Sequence, residues 1–145
     1  MEEIINQIPG YEKGKVQRVV AGDVAGECLL IAQMVADLQK KWNTTVLCMS
    51  LDGQKDAIQA LIPEDKAFAK AIVMDQKNPD CFIVRRKVEG KVHRAFVRAV
   101  IIGGAQRLNF KNWKRSRDEE TAAVERELGQ MAAGENIPVI LLQTK

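Results

Sequence analysis

The residue pattern predicts an α/β fold on a mainly parallel sheet. Uncharged or nearly uncharged runs at residues 45–51, 97–103 and 137–142 alternate with segments of helical period at 27–42 and 116–133. The first part of the chain reads strand, short small-residue loop, helix, strand, and that βαβ unit closes through a right-handed parallel crossover.

The 145 residues, 46% of them hydrophobic, suffice for one domain, residues 1–145, with a sizeable core. A net charge of +3 is too small to signal nucleic-acid binding by itself, so any such argument depends on where the charges cluster. Cys28, Cys48 and Cys81 lie in or beside apolar runs without metal-ligand spacing, which predicts buried free thiols in a reducing, cytoplasmic setting. No run approaches the ~20 apolar residues of a membrane span, so no membrane partner is expected. A single histidine, His93, excludes a multi-histidine metal site within one chain, and no metal ligand set is assigned.

Residues 2–7 have the pattern of a short amphipathic helix, broken by Pro9-Gly10. Residues 15–21 form the first core strand, although Gln17 and Arg18 suit an edge or a wet face better than a centre. A helix over 27–42 carries Ile31, Met34, Val35, Leu38 and Trp42 as a stripe, and Asn43-Thr44 ends it before strand 45–51. Helices are expected at 54–62, stopped by Pro63, and at 64–74, burying Phe68, Ala71 and Ile72. For residues 82–97 the β-branched content around Glu89-Gly90 favours a hairpin. The rival is a helix with Val84, Val88, Val92 and Phe96 at spacing four, against which Gly90 counts ~1 kcal/mol. A strand at 97–103 leads to a basic loop, 107–117. Ser116 with Glu119 predicts a capped helix to about Ala133, ended by Gly134, before the last strand.

The stretch Val16 to Cys28 has the outline of a strand feeding a phosphate-binding loop, with Ala21, Gly22 and Gly26 as its small residues. Glu27 and Cys28 stand where such a loop carries Lys and Ser or Thr. Further blocks follow in order: Gly10-Tyr11-x-x-Gly14, Ser50-Leu51-Asp52, Val100 to Gln106, and Val124 to Leu128 running on to Ile140. Together they resemble the C-terminal RecA-like ATPase domain of bacterial and phage replicative hexameric DNA helicases of the DnaB-like kind. The resemblance implies a three-layer P-loop NTPase fold lacking that family's C-terminal strands.

The functional positions depart from the family. Glu27 replaces the lysine that reaches the β- and γ-phosphates, a reversal worth of order 4 kcal/mol per charge interaction at ~4 Å and an effective dielectric of ~20. Cys28 replaces the magnesium-binding hydroxyl with a poor ligand. Gly103 replaces the Walker B aspartate, and Asp52 keeps an acid one methylene shorter than the family's glutamate. Thr144 takes the place of the terminal glutamine, with Gln143 one residue early and on the opposite face of its strand. No catalytic residue is therefore assigned, and neither ATP nor magnesium is expected to bind well.

In the resembled sheet, the strand beside the phosphate-loop strand comes from sequence beyond Lys145. Residues 15–21 would then be an edge, blunted by Gln17 and Arg18 or paired with a second copy in a homodimer. The loop residues Arg107, Lys111, Trp113, Lys114, Arg115 and Arg117 fall where the resembled helicases carry a DNA-facing loop, so single-stranded DNA is a candidate ligand. Trp113 tucked on the core in a solvated connection is the competing reading. Arg85, Arg86, Lys87, Lys91, Arg94 and Arg98 read as the solvated face of the hairpin. The expected function is that of a non-catalytic helicase-like protein of phage or mobile-element type, acting in DNA replication through a replicative helicase, itself or single-stranded DNA. The alternative is a residual nucleotide-binding protein or ATPase with Asp52 as its remaining acid.

Overall fold

A computed structural model describes residues 3–5, 10–62 and 71–144. Six strands, β1 (Glu3–Ile5), β2 (Val16–Ala21), β3 (Thr45–Ser50), β4 (Ala71–Asp75), β5 (Val97–Gly103) and β6 (Val139–Thr144), form one sheet in the order β1-β2-β6-β5-β3-β4. Every neighbouring pair is parallel. Helices α1 (Val24–Trp42) and α2 (Lys55–Leu61) cover one face, while α3 (Cys81–Ala95) and α4 (Arg117–Glu135) cover the other. The result is the three-layer α/β architecture predicted from the alternation of apolar runs and helical stripes.

The period-two alternation of the strands divides the core into two layers. Val19, Ala21, Val46, Cys48, Ala99, Ile101, Ile140 and Leu142 point at Ile31, Met34, Val35 and Leu38 of α1. Leu47, Met49, Val100, Ile102, Val139 and Leu141 point at Val84, Val88 and Val92 of α3 and at Val124, Leu128 and Met131 of α4. Each such fully buried aliphatic side chain contributes about 1.5–3 kcal/mol relative to exposure, which is why both faces of the sheet are covered.

Several expectations are corrected. Residues 3–5, expected within a helix, form β1, which pairs with β2 through Glu3↔Arg18, Ile4↔Val19 and Ile5↔Val20. Residue 2 and residues 6–7 of that expected helix lie outside the described residues. As a consequence β2 sits between β1 and β6 rather than at an edge, and the homodimer expected through an open strand 15–21 loses its basis. Residues 71–74, expected to end a helix, open strand β4 on β3, while residues 63–70 lie outside the described residues.

Residues 81–95 are helical, so the rival to the hairpin is the conformation adopted. Asp80 caps the helix by accepting from Phe82 N and Ile83 N, and Val84, Val88 and Val92 at spacing four are all buried. A defined cap and the buried valine stripe outweigh β-branched propensity and the ~1 kcal/mol cost of Gly90, while Phe96, expected as the next member of the stripe, is instead the exposed left-handed C-cap. At α4 the expected cap is present, with Ser116 Oγ accepting from Glu119 N at 3.1 Å. The helix passes through Gly134 and ends on Asn136, whose φ of 54° supplies the left-handed stop.

Candidate functional site

The C-terminal ends of parallel strands are the ordinary place for a site in a sheet of this kind. At the end of β2 only Gly22 and Asp23 separate strand from helix, because α1 already begins at Val24. Asp23 is its N-cap, and its Oδ1 accepts from Gly26 N at 2.7 Å. The positive end of α1, where exposed N–H groups would otherwise attract an anion, is thus occupied by a carboxylate of the chain itself. Asp23 is a functional position beyond those expected from the sequence, although an Asp before a helical run is a recognisable cap signal.

One turn further on, Glu27 is buried at 1% exposure and points across the layer to the end of β5. Its Oε1 accepts from Gly104 N at 2.7 Å. A Cβ on residue 103 would lie 2.8 Å from that oxygen and 3.0 Å from Ile31 Cδ1, so glycine at 103 makes room for the glutamate. Gly104 has φ of +69° and packs on Asp52, with 3.0 Å between the position of a Cβ and Asp52 Cγ. Both of these glycines are needed for geometry, one by close approach and the other also by its left-handed backbone.

Asp52 completes an acidic pair with Glu27. Its Oδ1 accepts from Ser50 Oγ at 2.8 Å, and the same hydroxyl accepts from Gln54 N at 2.9 Å. Glu27 Oε2 and Asp52 Oδ2 are both buried without a hydrogen-bond partner among the described residues. Burial, with the neighbouring charge of Asp52 added, pushes the Glu27 carboxyl up to about 7, against the lowering effect of the Gly104 N–H. The Cys28 thiol faces Gln54 Oε1 at 4.0 Å, and burial raises its pKa too. Among the described residues no group of three or more His, Cys, Asp or Glu side chains is placed to hold a metal ion.

On the other face of the sheet, Arg18 is buried under α4. It donates to Glu125 Oε1 through Nη2 at 2.8 Å and Nε at 3.2 Å, and through Nη1 to Gln143 Oε1. Gln143 therefore faces the α4 layer, while Thr144, on the opposite side of β6, accepts from Gln106 Nε2 at 3.3 Å. Arg18, Gln106, Arg117, Glu125 and Gln143 line a polar cavity of about 390 Å³. The Arg18–Glu125 pair was missed in the sequence, since its members are 107 residues apart.

The basic loop is tightly braced. Lys111 N donates to Asp80 Oδ2 at 3.0 Å, Phe110 N to Glu120 Oε2 at 2.9 Å, and Trp113 Nε1 to Ser116 O at 3.0 Å. Arg117 is held inside this framework, donating to Leu108 O, Gln106 O and Glu120 Oε1. Arg107, Lys111 and Lys114 are exposed without an ionic partner among the described residues, whereas Arg115 approaches Glu119 at 3.6 Å. Trp113 stacks on Phe110 with centroids 5.6 Å apart, and Phe110 meets Phe82 of α3 at 5.0 Å. Phe82 was not singled out as a site residue because its neighbours come from the far side of β5.

This parallel sheet, with a strand-to-helix turn at β2 and helices on both faces, defines a three-layer α/β domain. The same fold occurs in two solved structures, each covering 93% of this chain with a TM-score of 0.69. One is a DnaB-like replicative helicase, studied with its interactions with primase, at 17% identity; the other is an ATPase domain, at 16%. The chain spans 41% of the first and 58% of the second, and so about half the length of these structural neighbours. No family model and no curated protein sequence matches it. No helix among the described residues is long and apolar enough to cross a membrane.

Proposed function

We propose that this chain is a non-catalytic, helicase-like protein that keeps a RecA-like frame without turning over ATP and acts by interaction in DNA replication. The observation that carries this reading is the Glu27 carboxylate seated on Gly104 N. A metal–triphosphate needs a cation, a hard metal ligand and a carboxylate that orients the metal's water shell. The residues at the corresponding places are Glu27, Cys28 and Gly103, and Asp23 takes the N–H of Gly26. This set does not fit Mg-ATP, and no catalytic step is assigned to it.

Interaction is the remaining role. The braced loop presents Arg107, Lys111, Lys114 and Arg115 to solvent, and Arg117 serves the loop rather than a ligand. Single-stranded DNA or a component of the replication machinery, such as a replicative helicase, is the proposed partner, in a cytoplasmic setting of phage or mobile-element type. The likeness to a DnaB-like replicative helicase supports this reading at the level of fold.

Titration with Mg-ATP, followed by melting temperature and tryptophan fluorescence, tests the proposal. No saturable shift is expected; stabilisation at sub-millimolar ATP would overturn it in favour of a residual nucleotide-binding protein that uses Asp52. The DNA-binding part is tested by salt-sensitive binding of an oligonucleotide that weakens when Lys111 and Lys114 are both replaced by Gln.

A further inference from the structure

The outer face of α3 carries charge that no other described residue answers. Arg86, Lys87 and Arg94 are exposed and Lys91 is half-buried, and none has an ionic partner among the described residues. The only acid on α3, Glu89, is engaged by Arg85, which also holds Glu127 at 2.8 Å. Arg86 and Lys87 are adjacent in sequence, and Lys91 and Arg94 follow over the next two turns, so the four heads run along one side of the helix rather than around it. They border a groove of about 590 Å³ whose floor is Gly90, and a Cβ there would meet nothing within 4 Å. Packing does not require this glycine, and its absent side chain leaves the helix backbone open along the row.

The row begins at an aromatic platform. Phe82, one turn before Arg86 on the same face, is 51% exposed and edges onto Phe110, which in turn stacks on Trp113. Asp80 holds the two parts together, capping α3 through Phe82 N and Ile83 N while accepting from Lys111 N. The groove beside the rings, about 660 Å³, is flanked by Lys111, Lys114, Arg115 and Arg126, with Glu127, held by Arg85, as its one acid.

We propose that α3 and this aromatic platform form one binding track for single-stranded nucleic acid, with phosphates along Arg86, Lys87, Lys91 and Arg94 and an unpaired base on the exposed ring of Phe82. The track rests on the DNA-binding part of the reading above, but it places the strand on a helix face, which the basic loop alone does not. A basic row whose neighbouring acids, Glu89 and Glu127, are already paired with Arg85 selects a polyanion. Flat rings at one end select a polyanion with free bases over an acidic protein segment or a duplex, whose bases are already stacked.

The experiment is fluorescence anisotropy of labelled oligo-dT over a salt series, with far-UV circular dichroism as the check on folding. Replacing Arg86, Lys91 and Arg94 together by Gln is expected to reduce the slope of log affinity against log salt by about 2, at ~0.7 per phosphate contact. Phe82→Ala is expected to weaken binding roughly 5- to 100-fold with the slope unchanged. Phe82→Leu, which keeps the apolar contact with Phe110 and loses the flat ring, should weaken it too. If these variants bind as the parent does while the Lys111/Lys114 variant weakens, the track is wrong and the loop reading stands. If the parent does not bind oligo-dT, both fail. Equal competition by polyglutamate or by duplex of matched length overturns the track as a single-strand site.

Discussion

Glu27 and Gly103 occupy one space: Glu27 Oε1 lies 2.8 Å from where a Cβ on residue 103 would stand. Two sequence positions that depart separately from the resembled phosphate site are thus a single packing solution. The glutamate's inward turn needs the missing side chain at 103. Its hydrogen bond to Gly104 N then satisfies a backbone donor at the end of β5.

Gly103→Ala should accordingly destabilise the protein by about 1–3 kcal/mol, the usual cost of overpacking a filled site. In the Glu27→Ala background the added methyl meets a vacated space, so the loss should be smaller than the sum of the single effects. Urea denaturation of the four proteins in a double-mutant cycle reads this coupling. Strict additivity would show that the two residues do not share the space.

Stability should fall as pH rises from about 4.5 toward 7. Glu27 has its folded pKa raised to about 7 from an ordinary value of 4.5, by burial first and by Asp52 second. The folded state therefore holds its proton more tightly than the unfolded state. The stabilisation is complete below the unfolded pKa and is lost as pH climbs through the folded one. Linkage puts the effect at a few kcal/mol, order of magnitude only. Glu27→Gln should flatten this part of the profile and melt higher than the parent at pH 8, since the amide can donate to the unpartnered Asp52 Oδ2. Melting curves across pH 4–8 check both points.

Arg18→Ala should cost about 2–4 kcal/mol, because it leaves Glu125 and Gln143 facing a void at the sheet surface. The lower end of that range reflects the partial exposure of Glu125, at 28% of its side chain. Replacing Arg18 by Met and Glu125 by Leu together should recover most of the loss, as apolar packing commonly replaces a buried ion pair. Chemical denaturation distinguishes the outcomes; a double variant no better than Arg18→Ala would contradict it.

Removal of residues 1–9 should expose the outer hydrogen-bonding edge of β2, which β1 now covers. An open parallel edge with Val19 and Val20 in its strand is prone to pair with another chain. Light scattering over a concentration series should show self-association in the shortened protein that exceeds that of the parent.

Much of the fold is legible in the residues taken locally. Apolar runs, broken only by Arg98 in β5, mark β3, β5 and β6, and the stripe from Ile31 to Leu38 marks α1. Ser116 followed by Glu119 marks the start of α4 to the residue. Glu27, Cys28 and Gly103 stand out in the sequence only by comparison with the resembled phosphate site. Where the glutamate goes is not readable, since a charged residue at a helix start is as easily solvated as buried. Residues 82–97 failed for a related reason: Val84, Val88 and Val92 satisfy a strand or a helix until the sheet they cover is known.

The sequence by itself determined the parallel α/β frame and the residue types that stand at the ends of β2 and β5, Glu27, Cys28 and Gly103. Those features depend on residue type and on spacing within a few turns of chain. Only the tertiary structure decided that β1 closes the flank of β2, that α3 is a helix with a basic outer row, and that Glu27 turns inward. Each of these depends on a contact between distant segments: Ile4 with Val19, Asp80 with Lys111, and Glu27 with Gly104. Local propensity is worth at most about 1 kcal/mol per residue, and burial across the sheet exceeds it wherever the two disagree.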